Sequence, residues 1–248
     1  MKLSIDIHNH TIASGHAYST IQEYADEAQK KGLSLIAITD HAPAMPYAPG
    51  MFYFMNFRII PREIKGVKIM MGVELNILDK NGKVDLSEEI LKLLCPVIAS
   101  FHHPCYKYSK EDMTGEERSE EITTAIMNIM DNPFIHILGH PGDSKYPFDI
   151  EKVVKKSLET ATLLEINDVN LNPDGSQFSR PGAHDTMFKI LEICKKIGCP
   201  VVIGSDAHFA SYTGKFEKSV ELLEIAGFPL ELVANRSVEY FMQLIKRI

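Results

Sequence analysis

The chain has 248 residues, 45% of them hydrophobic and 24% charged, a balance that excludes a disordered protein and allows one sizeable core. A formal net charge of -7 excludes the basic footprint that holds a long nucleic acid by its phosphates, and no apolar run reaches membrane-spanning length. Cys95, Cys105, Cys194 and Cys199 form no C-x-x-C pair and read as reduced thiols; with no signal-peptide pattern after Met1-Lys2-Leu3, a cytoplasmic protein is expected.

In chain order, the apolar run Leu3 to Ile7 predicts a first strand that leads into Asp6-Ile7-His8-Asn9-His10. Side chains alternate along a strand, so His8 and His10 share one face and could hold one metal ion. Ser19 with Gln22 has the spacing of a capping box for a helix over residues 20 to 31, which Gly32 stops. Leu33 to Ile38 predicts a second strand ending in Thr39-Asp40-His41, followed by a Pro-rich loop and a short helix near Phe57 to Ile64. Val67 to Val73 predicts a third strand that delivers Glu74, and Lys80-Asn81-Gly82-Lys83 carries the turn signal of a hairpin over residues 75 to 86.

A short helix from Ser87 precedes a fourth strand, Val97 to Phe101, which ends in His102-His103-Pro104. Thr114 with Glu117 opens a long helix ending near Asn132-Pro133, and a fifth strand, Phe134 to Leu138, runs into Gly139-His140-Pro141-Gly142. A helix over residues 150 to 160 and a sixth strand, Leu163 to Ile166, lead to Asn167-Asp168 and a long loop through Pro173-Asp174-Gly175-Ser176 to Arg180-Pro181-Gly182. A helix over residues 183 to 196 follows, then a seventh strand, Pro200 to Ile203, which ends in Gly204-Ser205-Asp206-Ala207-His208. Helices near 215 to 226 and 238 to 247, the second capped by Ser237, complete a single domain over residues 1 to 248.

Buried strands separated by helices imply an α/β fold with a parallel sheet, because parallel strands need crossovers. Closure into a distorted, TIM-like (β/α) barrel of seven strands is expected from where the polar residues fall. His8/His10, His41, Glu74, His102, His140 and Asp206/His208 each lie at or one step past a strand's C-terminal end, the rim where such barrels place catalytic groups. An open sheet would scatter them. His16, in the loop after the first strand, is the one candidate away from a strand end. Seven histidines and two carboxylates are too many donors for one ion, whereas three divalent ions (Zn, Mn or Fe) would share them.

His8-x-His10, Thr39-Asp40-His41-Ala42, Gly72-Val73-Glu74, His140-Pro141-Gly142 and Ser205-Asp206-Ala207-His208 together resemble the sequence blocks of the PHP (polymerase and histidinol phosphatase) family. In order and length the chain is most similar to the family's stand-alone YcdX-like phosphatase branch. The resemblance spans Asp6 to His208 and implies a distorted seven-stranded barrel with a trinuclear metal centre at the C-terminal ends of its strands. Carried over residue by residue, it implies one ion on His8, His10, Glu74 and Asp206, a second on Glu74, His102 and His140, and a third on His16, His41 and His208. It implies further that the protein is a metal-dependent phosphatase of small phosphomonoesters, in which a metal-activated hydroxide attacks phosphorus in line. No side-chain nucleophile is required, and no G-x-S-x-G signature competes.

His102 is assigned over His103 because the family places a histidine directly after the fourth strand, and His103 remains a candidate for substrate contact. Arg180 is a candidate phosphate clamp, with Asn167 and Lys145 weaker ones for the same pocket. Asp6 and Asp40 either orient imidazoles by accepting their N–H groups or are satisfied by backbone. His136 and His184 read as structural. The nearest rival is a TatD-like nuclease or another amidohydrolase-type barrel hydrolase, which also begins with H-x-H but lacks the His16, His41 and His208 set. A rival of another class is a non-catalytic metal-binding PHP module. A small phosphorylated substrate is the expected partner; a long nucleic acid and a membrane are not, and the oligomeric state is not legible.

Overall fold

Short runs of apolar residues, buried on both faces, form the centre of the computed structural model, which describes residues 3 to 172 and 178 to 245. Met1-Lys2, the loop Pro173-Asp174-Gly175-Ser176 and the residues expected to be helical at 246 and 247 lie outside the described residues. The strands are β1 (Ile5–Asp6), β2 (Leu35–Ile38), β3 (Glu63–Ile64), β4 (Val67–Met71), β5 (Val73–Asn76), β6 (Val97–Ser100), β7 (Ile137–Leu138), β8 (Leu163–Asn167) and β9 (Val201–Gly204). The helices are α1 (Ile21–Lys31), α2 (Met51–Met55), α3 (Glu88–Leu91), α4 (Gly115–Met130), α5 (Ile150–Thr160), α6 (Ala183–Ile197), α7 (Glu217–Ile225) and α8 (Val238–Ile245). Among the described residues no helix is long and apolar enough to cross a membrane.

The helix boundaries follow local chemistry. Thr114 and Glu117 form the expected reciprocal capping box on α4, and Gly32, at φ 72°, ends α1 with its N–H on the carbonyls of Ala28 and Gln29. The box that opens α1 lies one residue later than expected: Thr20 and Glu23 make it, while the Ser19 hydroxyl accepts from the Ala210 N–H. No helix spans Phe57 to Ile64. There α2 and one 3-10 turn bury Phe54 and Phe57, and Lys65-Gly66, both at positive φ, turn β3 back antiparallel on β4.

The ladder is divided into two sheets, ordered β1-β2-β4-β3 and β5-β6-β7-β8-β9, with every pair parallel except β3 with β4. Single parallel bridges join them at Asn9 with Ala207 and at His41 with Glu74. The third strand foreseen over Val67 to Val73 is broken at Gly72. The Gly72 N–H donates to the Ile38 carbonyl in one sheet, and the next N–H, from Val73, donates to the Pro96 carbonyl in the other. A Cβ on Gly72 would stand 2.1 Å from the Pro96 oxygen, so only glycine allows the chain to change sheets here. That step puts Glu74 at the junction.

Inward-facing Ile5, Ile7 and Leu35 pack with Ile98, Ile137, Leu163 and Val202 of the second sheet, and α8 adds Phe241 and Ile245 beneath them. A larger cluster lies between the outer faces of the strands and the helices and includes Tyr24, Ile126, Val154 and Leu191. All four cysteines are free thiols, as expected.

Because the Gly72 contact is with backbone, Gly72→Ala should destabilise the fold by about 1 to 3 kcal/mol, a fall of several degrees in melting temperature. Gly115→Ala, at a helix position with nothing within 4 Å, is the control and should leave it unchanged or slightly raised. Calorimetric melts of the two variants check this.

Candidate metal centre

The residues singled out at the strand ends meet. His8, His10 and Glu74 are fully buried, and His41, His140, His102 and Asp206 nearly so. Two of the segments are held in unusual backbone: His140 at φ 29° and Asp206 at φ 52°, conformations that L residues adopt rarely and that concentrate at functional sites.

Glu74 stands at the centre. Its Oε1 lies 2.8 Å from His140 Nε2 and 3.3 Å from His102 Nε2. Its Oε2 lies 2.8 Å from His41 Nδ1, 3.4 Å from His10 Nε2 and 3.5 Å from His8 Nε2. The two oxygens of one carboxylate thus face two different sets of imidazoles. Asp206 Oδ1 closes the first set, 3.2 Å from His10 Nε2 and 3.6 Å from His8 Nε2. A third set lies beyond, where His16 Nε2 and His208 Nε2 are 3.1 Å apart and the His41 ring stacks on His16 with centroids 5.0 Å apart. His41 also groups with His10 and His208, and with Glu74 and His102, so it stands between the sets.

The protons on these rings can be placed. His16 Nδ1 is 3.0 Å from the Ser14 carbonyl and His208 Nδ1 is 2.9 Å from the Asp206 carbonyl. A carbonyl only accepts, so each Nδ1 carries a proton, and each neutral ring turns an Nε2 lone pair towards the other. Two lone pairs 3.1 Å apart repel unless a cation lies between them; two nitrogen ligands of one tetrahedral zinc ion stand about 3.3 Å apart. The same logic holds elsewhere. His8 Nδ1 donates to Glu165 Oε1 at 2.7 Å, His102 Nδ1 to Asn76 Oδ1 at 2.7 Å, and His10 Nδ1 to the Ser14 hydroxyl at 3.1 Å, whose own proton goes to Asp40. In His10 and His102 this leaves Nε2 for the centre, and in His8, whose carboxylate neighbours favour the protonated ring, a metal would have to displace the Nε2 proton. His102 Nε2, His41 Nδ1 and Glu74 Oε2 are buried with no hydrogen-bond partner, so this donor set fits divalent ions.

Burial works against charge here, and the neighbours decide the outcome. Burial pushes Glu74 and Asp206 up, but His102, His8 and His41 around the first, and His8, His10 and His208 around the second, hold both carboxyls well below the usual range. Burial first, then neighbouring imidazoles, lowers His10 strongly and His16 as well. Burial likewise lowers His102 and His208 against the pull of Glu74 and Asp206 respectively. In His8, burial is outweighed by Glu165, Asp206 and Glu74, which raise it well above the ordinary imidazole value.

Of the remaining candidates, His103 lies exposed while His102 turns inward. Arg180 is mostly buried, bonds Asp143 through NH1 at 3.3 Å, and bears electrostatically on His102. Lys145 is exposed on the same loop as Asp143, and Asn167 donates to both Glu165 and Asp206. Asp6 is satisfied by the N–H groups of His8, Ser205 and Gly214, not by an imidazole, and Asp40 reaches His10 only through Ser14. His136 Nδ1 accepts from the Val97 N–H, and His184 is an exposed residue in the first turn of α6.

Sequence reasoning missed Glu165, Asn76 and Ser14, which hold the backs of His8, His102 and His10. Glu165 Oε2 also accepts the His140 N–H at 2.6 Å, and a Cβ on Gly204 would stand 1.9 Å from its Oε1. The signal for Glu165 is a carboxylate inside the apolar run Leu163-Leu164-Glu165-Ile166; a charge is seldom buried unless it has a partner. Asn76 and Ser14 carry no such signal.

The PHP domain pattern matches residues 6–171, and the chain belongs to the PHP domain family. It is 44% identical over 247 residues to a protein of Acetivibrio thermocellus named a probable phosphatase, covering 100% of this chain and 97% of that one. It is 41% identical over 246 residues to one of the same name from Clostridium novyi, covering 99% and 96%. Among solved structures, histidinol phosphate phosphatase of Lactococcus lactis, in complex with zinc, L-histidinol and phosphate, superposes with a TM-score of 0.63 over 91% of this chain and 94% of that one. At 19% identity that likeness concerns the fold.

The lowered histidines set a pH dependence. His10, His16, His102 and His208 bind protons more weakly folded than unfolded, so the fold loses stability as pH falls below their ordinary value of about 6.5. His8 acts in the opposite sense: its contribution is full below that value and is lost as pH rises through its folded value. The buried carboxyls of Asp6 and Asp168, the second pushed up to about 6, act in the same sense as His8, so the lowered set is read by difference: from pH 7 to pH 5 the melting temperature of the metal-free wild type should fall further, or rise less, than that of His16→Gln, measured by calorimetry. Equal changes in the two proteins would contradict these proton assignments.

Proposed function

We propose that the chain is a metal-dependent phosphatase that hydrolyses small phosphomonoesters at a three-ion centre. The observation that carries this reading is the pair His16 Nε2 and His208 Nε2, 3.1 Å apart with both Nδ1 protons committed elsewhere, beside a carboxylate whose oxygens face two other sets of imidazoles. One- and two-ion hydrolases need no such third set. The full-length kinship with proteins named phosphatases supports it. Single bridges at both seams and the inner core shared by the sheets support reading the two sheets as a distorted barrel with the centre on its C-terminal rim.

His8, His10, Glu74 and Asp206 would hold one ion, Glu74, His102 and His140 a second, and His16, His41 and His208 the third. When bound, divalent ions such as zinc or manganese make hydroxide available near neutral pH and neutralise a phosphoryl group. Glu165 holds the proton on His8 Nδ1 and, through the His140 N–H, the turn that presents His140. Asn76 does the same for His102. Arg180, held by Asp143 beside His102, supplies fixed positive charge to an entering phosphate.

The reading predicts hydrolysis of p-nitrophenyl phosphate that is lost on chelation and restored by zinc or manganese, and about three ions per chain by elemental analysis. His10→Ala and Asp206→Ala should lower kcat/KM by at least about a hundredfold, Arg180→Ala should act mainly by raising KM, and Glu165→Gln should weaken metal affinity about 10- to 100-fold. Full activity in either of the first two variants would exclude the assigned site. Two ions with His41 and His208 uninvolved would exclude the third.

A further inference from the structure

Beside His16 and His208 opens a cleft of about 480 Å³, within the range of small-molecule sites and continuous with the centre because Asp206 and His208 line both. Its other walls are unusually aromatic: Tyr18, Phe178, Phe209 and Tyr212. Tyr18 is 73% exposed and Phe209 and Tyr212 are each 50% exposed, so three large rings are held in water around one concavity. Exposed apolar side chains scattered singly need no explanation, whereas a contiguous group marks a binding surface. Phe178 adds a second observation. Its ring stacks on His208 with centroids 4.7 Å apart and planes 26° apart, and its backbone is held at φ 68°, a left-handed conformation unfavourable for a bulky residue.

The charge of the cleft is mixed. Lys215 lies over one face of Tyr212, 4.6 Å from its centroid, Lys218 is paired with Glu221, and Glu217 and Asp168 offset both lysines. A leaving group with further negative charge gains little there, while a flat uncharged one meets ring faces on several sides. Every nucleobase offers such a face, and stacking on aromatic side chains is sequence-tolerant and strong enough to move affinity about ten- to a hundredfold.

We propose that this cleft receives the leaving group of the substrate and that the preferred substrates are nucleoside monophosphates, with the base stacked among Tyr18, Phe209 and Tyr212 and the phosphate at the centre. The proposal rests on the phosphatase reading and narrows it to one substrate class. Tyr18, Phe209 and Tyr212 are positioning residues that act through the base and touch no reacting atom.

The test compares kcat/KM of the metal-loaded protein for adenosine 5′-monophosphate, glycerol 2-phosphate and p-nitrophenyl phosphate, with calorimetric binding of adenosine to the metal-free protein. The nucleotide should exceed glycerol 2-phosphate at least about tenfold. Tyr18→Ala and Tyr212→Ala should lower the nucleotide's kcat/KM about tenfold more than that of glycerol 2-phosphate, through KM, and should weaken adenosine binding in parallel. Equal kcat/KM for nucleotide and glycerol ester, or equal losses in the variants, would overturn the proposal and leave the phosphatase reading standing. If none of the esters is hydrolysed the phosphatase reading fails, and adenosine binding then decides the cleft: binding abolished by Tyr18→Ala supports a base site, and no binding overturns it.

Discussion

One buried carboxylate organises this protein. Glu74 is fully buried, and an uncompensated charge in that position would cost several kcal/mol. Five imidazoles that reach it from four segments of the chain supply the compensation, and each of its oxygens belongs to a different set of them. The side chain can stand there only because the backbone changes sheets immediately before it, at Gly72, and because the His41 with Glu74 bridge joins the sheets at that point. The constraint that divides the fold in two is therefore the one that assembles the centre.

A second layer turns rings into donors of known direction. Glu165, Asn76, Ser14 and two backbone carbonyls each take a proton from the far side of a histidine and so decide which nitrogen faces inward. Glu165 links this layer back to the fold, since the space it fills exists only because residue 204 is glycine. An imidazole constrained at one nitrogen cannot rotate its other lone pair away, and cations would relieve the resulting crowding of nitrogens.

Much of this was legible in the sequence. Strand ends announce themselves as apolar runs broken by His, Glu or Asp, and the repetition of that break at the same point in successive segments is what marked the candidate residues as neighbours. His16 is set in a loop, and its Nε2 stands 3.1 Å from that of His208. Less could be read where local and distant interactions compete. Nothing in Val67 to Val73 shows that Gly72 is a change of sheet, because the reason lies in the carbonyl of Pro96, far along the chain. In the Phe57 to Ile64 segment Pro61 holds Ile60 extended and ends the single turn begun at Phe57, and the Lys65-Gly66 turn then folds β3 back on β4, so no helix forms there. Asp6 and Asp40 were ambiguous because a carboxylate beside a ligand can serve an imidazole or the backbone, and here the backbone and hydroxyl donors are closer.

Glu74 is shared by two sets of donors, one at each of its oxygens. The most direct test of that sharing is the metal content of Glu74→Gln, an isosteric change that removes the charge, measured by elemental analysis after equilibration with zinc or manganese beside the wild type. The variant should fold and keep at most the ion proposed for His16, His41 and His208. A variant that retains the full wild-type complement would contradict the shared role of Glu74.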